Sequence, residues 1–149
     1  MRTEKREKTA AEAFMNGWNC AQAVVKAWPE LYAGCESAAL KLSFGFGGGM
    51  GRLQETCGAV TGAFMVIGLF RGSEHPDDAA RDISVLEIRE FRRRFNELHN
   101  SLRCIDLIRV DLNTEEGREA QKRPEVKEKT CLKCVTDSVR ILEDILLKR

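Results

Sequence analysis

The run Ala59–Phe70, AVTGAFMVIGLF, constrains this chain more than any other segment. It lacks the strict apolar/polar alternation of a half-buried strand, and it is far shorter than the ~20 residues a membrane-spanning helix needs. Bracketed by Cys57 and Arg71, it predicts a central buried helix. Gly58 and Gly62, four apart, fall on one of its faces and would let a neighbouring backbone come close.

The remaining periodicities are also helical, with almost no strand signal. Residues 3–16 set Ala10, Ala11, Ala13, Phe14 and Met15 among charges and stop at Asn16-Gly17. Asn19 then caps a second helix, with Gln22 completing a capping box and Pro29 near the end. Asp77–Asn100 predicts a long amphipathic helix whose apolar face steps through Ile88, Phe91, Phe95, Leu98 and Leu102. Val135, Val139, Leu142 and Leu146 repeat the pattern near the C-terminus, and polar Asn113–Lys129, with Pro124 inside it, reads as a linker. At 149 residues the chain fits a single domain over positions 1–149. The fold expected is all-α, a compact bundle or orthogonal packing of five to six helices.

Charge narrows the partners. Lys plus Arg at 24 against Asp plus Glu at 23 leaves a net +1, too little to hold nucleic acid or an acidic membrane by a global field. The run Arg92-Arg93-Arg94 is interleaved with Glu87, Glu90 and Glu97, which makes it a solvated helix face. The start, MRTEKREKTA, lacks the apolar core of a secretory signal, so a cytoplasmic location is expected and no membrane insertion. The redox partner is left open, and a homodimer is allowed.

Six cysteines, at 20, 35, 57, 104, 131 and 134, are the compositional outlier. In a reducing compartment that number suggests metal ligation or thiol redox chemistry rather than structural disulfides. Cys20 follows the Asn19 cap, Cys131 follows Thr130 as a second cap, Cys104 lies three residues after Ser101, and Cys57 precedes the central helix. All four read as helix N-terminal residues, where unpaired N–H groups and the helix dipole favour a thiolate or an anionic cluster. Taken singly, each reads more readily as a small buried hydrophobe, and only the four together point to a site. Cys35 has no such placement. Cys131-Leu132-Lys133-Cys134 can be a redox pair or half a zinc site, and Val135 excludes the haem attachment C-x-x-C-H. Helical projection puts Cys131 on the stripe of Val135 and Val139, and Cys134 on the flank with Ile141 and Ile145.

Ser43–Arg52, SFGFGGGMGR, matches neither a dinucleotide fingerprint nor a phosphate loop, so no nucleotide is expected. Gly48, Gly49, Gly51 and Gly58 are the candidates for side-chain-free backbone that packs near Cys57 and offers N–H groups to sulfur or to a bound cofactor.

Asn19-Cys20-Ala21-Gln22, Gly47-Gly48-Gly49-Met50-Gly51 and Cys57-Gly58-Ala59-Val60-Thr61-Gly62-Ala63 closely resemble the small redox-active proteins named for a C-GCAxxG-C-C pattern. The central element here is C-G-A-x-x-G. The likeness continues through Cys104-Ile105-Asp106-Leu107, Asp111-Leu112 and Glu116-Gly117 to the last cysteine before a Val-rich helix. It implies a helical protein of this size with four redox-active or cluster-binding cysteines, Cys20, Cys57, Cys104 and Cys131, leaving Cys134 and Cys35 as extras. The family is related to a domain of split-Soret cytochromes, but without a haem motif this chain is not expected to carry covalent haem.

Three functions follow. The leading one is an electron carrier or redox sensor whose iron-sulfur cluster is ligated by Cys20, Cys57, Cys104 and Cys131, with Cys134 as a further candidate ligand. The second is a metal-free thiol/disulfide oxidoreductase using the same four thiols. The third is a zinc-stapled or plain helical interaction module.

Overall fold

Helix caps decide where this chain turns. In a computed structural model, which describes residues 2–148, Asn19 Oδ1 accepts the Gln22 N–H at 2.9 Å and Asn19 N–H donates to Gln22 Oε1 at 3.2 Å. This closes the capping box that starts α2 (Cys20–Lys26), after α1 (Thr3–Met15) has ended at Asn16. Asn19 and Gln22 also donate to Phe44 O and Leu40 O of α3 (Glu36–Phe44). A single irregular turn, α4 (Gly47–Met50), leads into the central helix α5 (Gly58–Arg71). Asp77 caps α6 (Asp78–His99), and Asn100 ends it in a left-handed conformation. Then come α7 (Cys104–Ile108), α8 (Glu115–Gln121), a turn α9 (Pro124–Val126), a π-helical stretch Lys127–Leu132 and α10 (Lys133–Leu146).

The class is all-α, and the described residues contain no strand beyond one isolated Thr56–Arg103 bridge. The expected count of five to six helices is too low: eight α-helices of at least five residues occur among the described residues, besides the single turns. The extra ones are short. Thr114 Oγ1 accepts the Gly117 N–H at 2.9 Å to start α8, and Pro124 occupies the first helical position of the next segment, both inside the supposed linker. Helices of one or two turns show too few periods to stand out in a sequence.

Helices α2, α6 and α10 pack around α5, and α1 lies against α2 and α10, burying Trp28, Ile67, Phe91, Phe95, Val135 and Leu142. Gly58 and Gly62 let α2 lie close: a Cβ on Gly62 would come within 2.8 Å of Ala21 O. A second, smaller cluster gathers Cys104, Ile108, Leu112 and Cys131. Leu98, placed on the apolar face of α6 by its spacing, is 55% exposed instead. Arg93 and Arg94 are engaged by Glu90, and Arg93 also by Glu97. No helix is long and apolar enough to cross a membrane among the described residues.

Candidate functional site

A short antiparallel clamp sets the heads of α5 and α7 side by side. Cys57 N–H donates to Leu102 O at 2.7 Å, and Cys104 N–H donates to Glu55 O at 2.7 Å. Buried Gln54 braces the clamp, its side chain donating to Val110 O at 2.7 Å and accepting from Leu112 N–H at 3.0 Å. Cys57 thereby becomes the cap residue of α5 and Cys104 the first residue of α7. Cys20, first in α2, lies over the start of α5, because Gly58 leaves room for its Cβ.

Cys131 is placed differently from its expected position in a first turn. The helix that carries it starts at Pro124, and Thr130 caps nothing; its hydroxyl donates to Glu125 O. The π-helical stretch Lys127–Leu132 widens the helix at Cys131 before α10 begins. Cys134, expected on the flank, is 1% exposed and belongs to the main core.

Cys20, Cys57, Cys104, Cys131 and Cys134 line one narrow cavity of about 20 Å³. Gly48, Gly49 and Gly58 complete the wall, with Thr130 and Gln121 also lining it. Cys35 is exposed and lies outside it. Within this cavity the thiols shift one another in two pairs, Cys57 with Cys134 and Cys20 with Cys131. The Cys134 hydrogen bond holds the Cys57 thiol below its ordinary pKa despite burial, and the N–H groups of Ala59 and Val60 add to the effect. The same bond, with burial, pushes Cys134 far up. Pairing with Cys131 and burial raise Cys20, while burial and the neighbouring sulfurs of Cys57 and Cys131 push Cys104 up to about 12. The two thiols of the Cys57–Cys134 pair are thus shifted in opposite directions, Cys57 toward the thiolate and Cys134 toward the thiol.

This geometry corrects the expected iron-sulfur cluster. Among the described residues no three His, Cys, Asp or Glu side chains are arranged to hold a metal ion. Ligation of iron or zinc by Cys20, Cys57, Cys104 and Cys131, with Cys134 as a fifth candidate, is thus overturned, as are the cluster-based electron carrier and the zinc staple. The physical reason is that the cavity these sulfurs line has space for about one water molecule. The cofactor role expected of Gly48, Gly49, Gly51 and Gly58 falls with the cluster. A Cβ on Gly49 would meet Cys104 Cβ at 2.6 Å and one on Gly58 would meet Cys20 Cβ at 3.0 Å, so both glycines pack against protein. Gly48 faces Arg52, and Gly51 lies outside the cavity.

Two neighbours of the cavity went unread in the sequence. His99 Nδ1 lies 3.8 Å from Cys134 Sγ, and its Nε2 lies 3.0 Å from Asp137 Oδ2. Asp137 is buried, which raises its carboxyl pKa, yet hydrogen bonds from His99 and Lys133 prevail and hold it at about 2. His99 was detectable, because it continues the four-residue stepping of Phe91 and Phe95, and Asp137 follows Cys134 by three.

The fold and cavity define a class, an all-α protein with five cysteines around one small enclosed space. Over residues 18–145 the chain matches the family described as "Putative redox-active protein (C_GCAxxG_C_C)", and it belongs to that family. No curated protein and no solved structure gives a significant match.

Proposed function

We propose that this protein is a thiol/disulfide oxidoreductase in which Cys57 is the attacking thiolate and Cys134 the resolving thiol. The observation that carries this reading is that both cysteines line one cavity of about 20 Å³, where the thiol pKa is lowered at Cys57 and raised at Cys134. Such polarisation suits one sulfur to attack and leaves its neighbour protonated until needed. The family description agrees with redox chemistry of this kind.

The chemistry balances with a small disulfide RSSR as oxidant. Cys57 attacks one of its sulfurs, forming Cys57–S–SR and expelling RS⁻. Cys134 loses its proton, attacks the Cys57 sulfur, expels the second RS⁻ and closes the Cys57–Cys134 bond. The protein loses two electrons and RSSR becomes two thiols. Cys57 retains 7% exposure, which suits a partner that brings a single sulfur to the cavity mouth. Cys20, only partly buried, lines the same cavity with Cys131 and offers a second thiol couple beside it. Small thiols and disulfides of the cytoplasm provide such partners.

Equilibration in glutathione buffers of graded potential, followed by acid quenching and peptide mass spectrometry, tests this reading. The Cys57–Cys134 link should form first. A chain that stays fully reduced, or one in which Cys57 bonds to a different cysteine, would overturn the assignment.

A further inference from the structure

We infer that His99 is the base that accepts the Cys134 proton in the resolving step and that Asp137 positions its ring, an inference that rests on Cys57 and Cys134 being the exchanging pair. His99 closes α6, and its ring stacks against Phe95 with centroids 4.4 Å apart. Its side chain is 9% exposed. Nδ1 faces the Cys134 sulfur, while Nε2 faces Asp137 in a contact that is close but bent, leaving Nε2 without a linear hydrogen bond. Cys134 and Asp137, three apart on α10, present both groups from one face.

The charged surroundings fix the direction of proton flow. Asp137 Oδ2 also receives Lys133 Nζ at 2.6 Å, and Oδ1 receives Arg140 Nη1 at 3.0 Å, while Glu7 of α1 engages Arg140 at 2.8 Å. The ionised carboxylate faces Nε2 at 3.0 Å and favours the tautomer that carries its proton there, which leaves the lone pair on Nδ1, toward sulfur, in the proposed step. From α5 the facing titratable group is Cys57. Once Cys57 is consumed in a mixed disulfide, Cys134 has lost its charged acceptor and remains a buried thiol. His99 Nδ1 is then the base within reach of that sulfur. The proton moves from Cys134 to Nδ1, the Cys134 thiolate attacks Cys57, and the departing RS⁻ takes the proton from the imidazolium, directly or through water. Throughout, Asp137 supplies the counter-charge.

The step is tested by mixing reduced protein with dithiodipyridine, quenching with acid at intervals and mapping Cys57 by mass spectrometry. In the wild type the Cys57 adduct should pass quickly to the Cys57–Cys134 disulfide. In His99→Phe, which keeps an aromatic ring against Phe95, the adduct should accumulate. Closure should slow about 100-fold near neutral pH and recover in alkali, where hydroxide replaces the base. His99→Gln serves as a second variant should His99→Phe not give the native circular dichroism spectrum. Asp137→Asn should displace the pH profile of closure. Equally fast closure in both His99 variants overturns the role of His99 alone. A wild type that never closes the disulfide overturns the assignment of the exchanging pair, and this inference with it.

Discussion

Gly49 and Gly51 share a left-handed backbone, with φ of 68° and 60°, but differ in what surrounds them. Met50 and Arg52 complete the same left-handed stretch, at a cost of about 1–2 kcal/mol for each side chain so placed. A Cβ on Gly51 would find only Gly45 O, at 3.8 Å, whereas one on Gly49 would collide with Cys104 Cβ and with Gln54 Cα at 2.7 Å. Conformation and crowding can therefore be separated. Gly51→Ala should cost about 1 kcal/mol for its backbone alone. Gly49→Ala adds an overpacking term against a braced backbone and should cost about 3 kcal/mol. Urea denaturation of the two variants gives the comparison, and equal losses would refute the idea that the glycine turn supports the Cys104 wall by close packing. The glycine run was legible as a place of close approach near the cysteines. Its left-handed path was not, because Met50 and Arg52 rarely adopt that conformation and nothing in their side chains announces it.

At the level of elements, α6 and α10 meet through His99 and Asp137, and the sign of the acid dependence follows. The folded carboxyl titrates at about 2, below the roughly 3.9 of an unfolded aspartate. Its contribution is therefore complete above the unfolded value and is lost as pH falls through the folded one. That contribution is on the order of 2 kcal/mol. Urea midpoints measured from about pH 5 down to pH 2 should fall less steeply for Asp137→Asn than for the wild type; parallel curves would refute the coupling. The same two helices mark what the sequence could convey. Asp77, Asn100 and the Phe91–Phe95 stepping made α6 readable to within a residue, since caps and stripes are local signals. Thr130 misled because a polar residue before an apolar stripe looks like a cap. The helix had already begun at Pro124, and the π-helical stretch shifted the stripe so that both Cys131 and Cys134 turn inward. An inserted residue in a helix changes facing without changing composition, so a single sequence does not reveal it.

For the whole molecule, the decisive connection is between the head of α5 and the first turn of α10, which are far apart in the chain but packed together in the core. A bond between Cys57 and Cys134 would close a loop containing α5 through α9, and so remove a large share of the freedom of the unfolded chain. Loops of many tens of residues gain about 4 kcal/mol from such closure. Because Cys57 and Cys134 already line the same small cavity, the folded state needs little rearrangement to accept the bond, and the gain should survive. The oxidised protein should melt about 10 °C above the reduced form. Thermal unfolding with and without dithiothreitol measures the difference, and Cys134→Ser should abolish it while leaving the reduced melting point within a few degrees. An oxidised form that melts at or below the reduced one would mean that closing the bond draws α10 away from α5. The Cys57–Cys134 couple would then be too strained to serve as the resting disulfide.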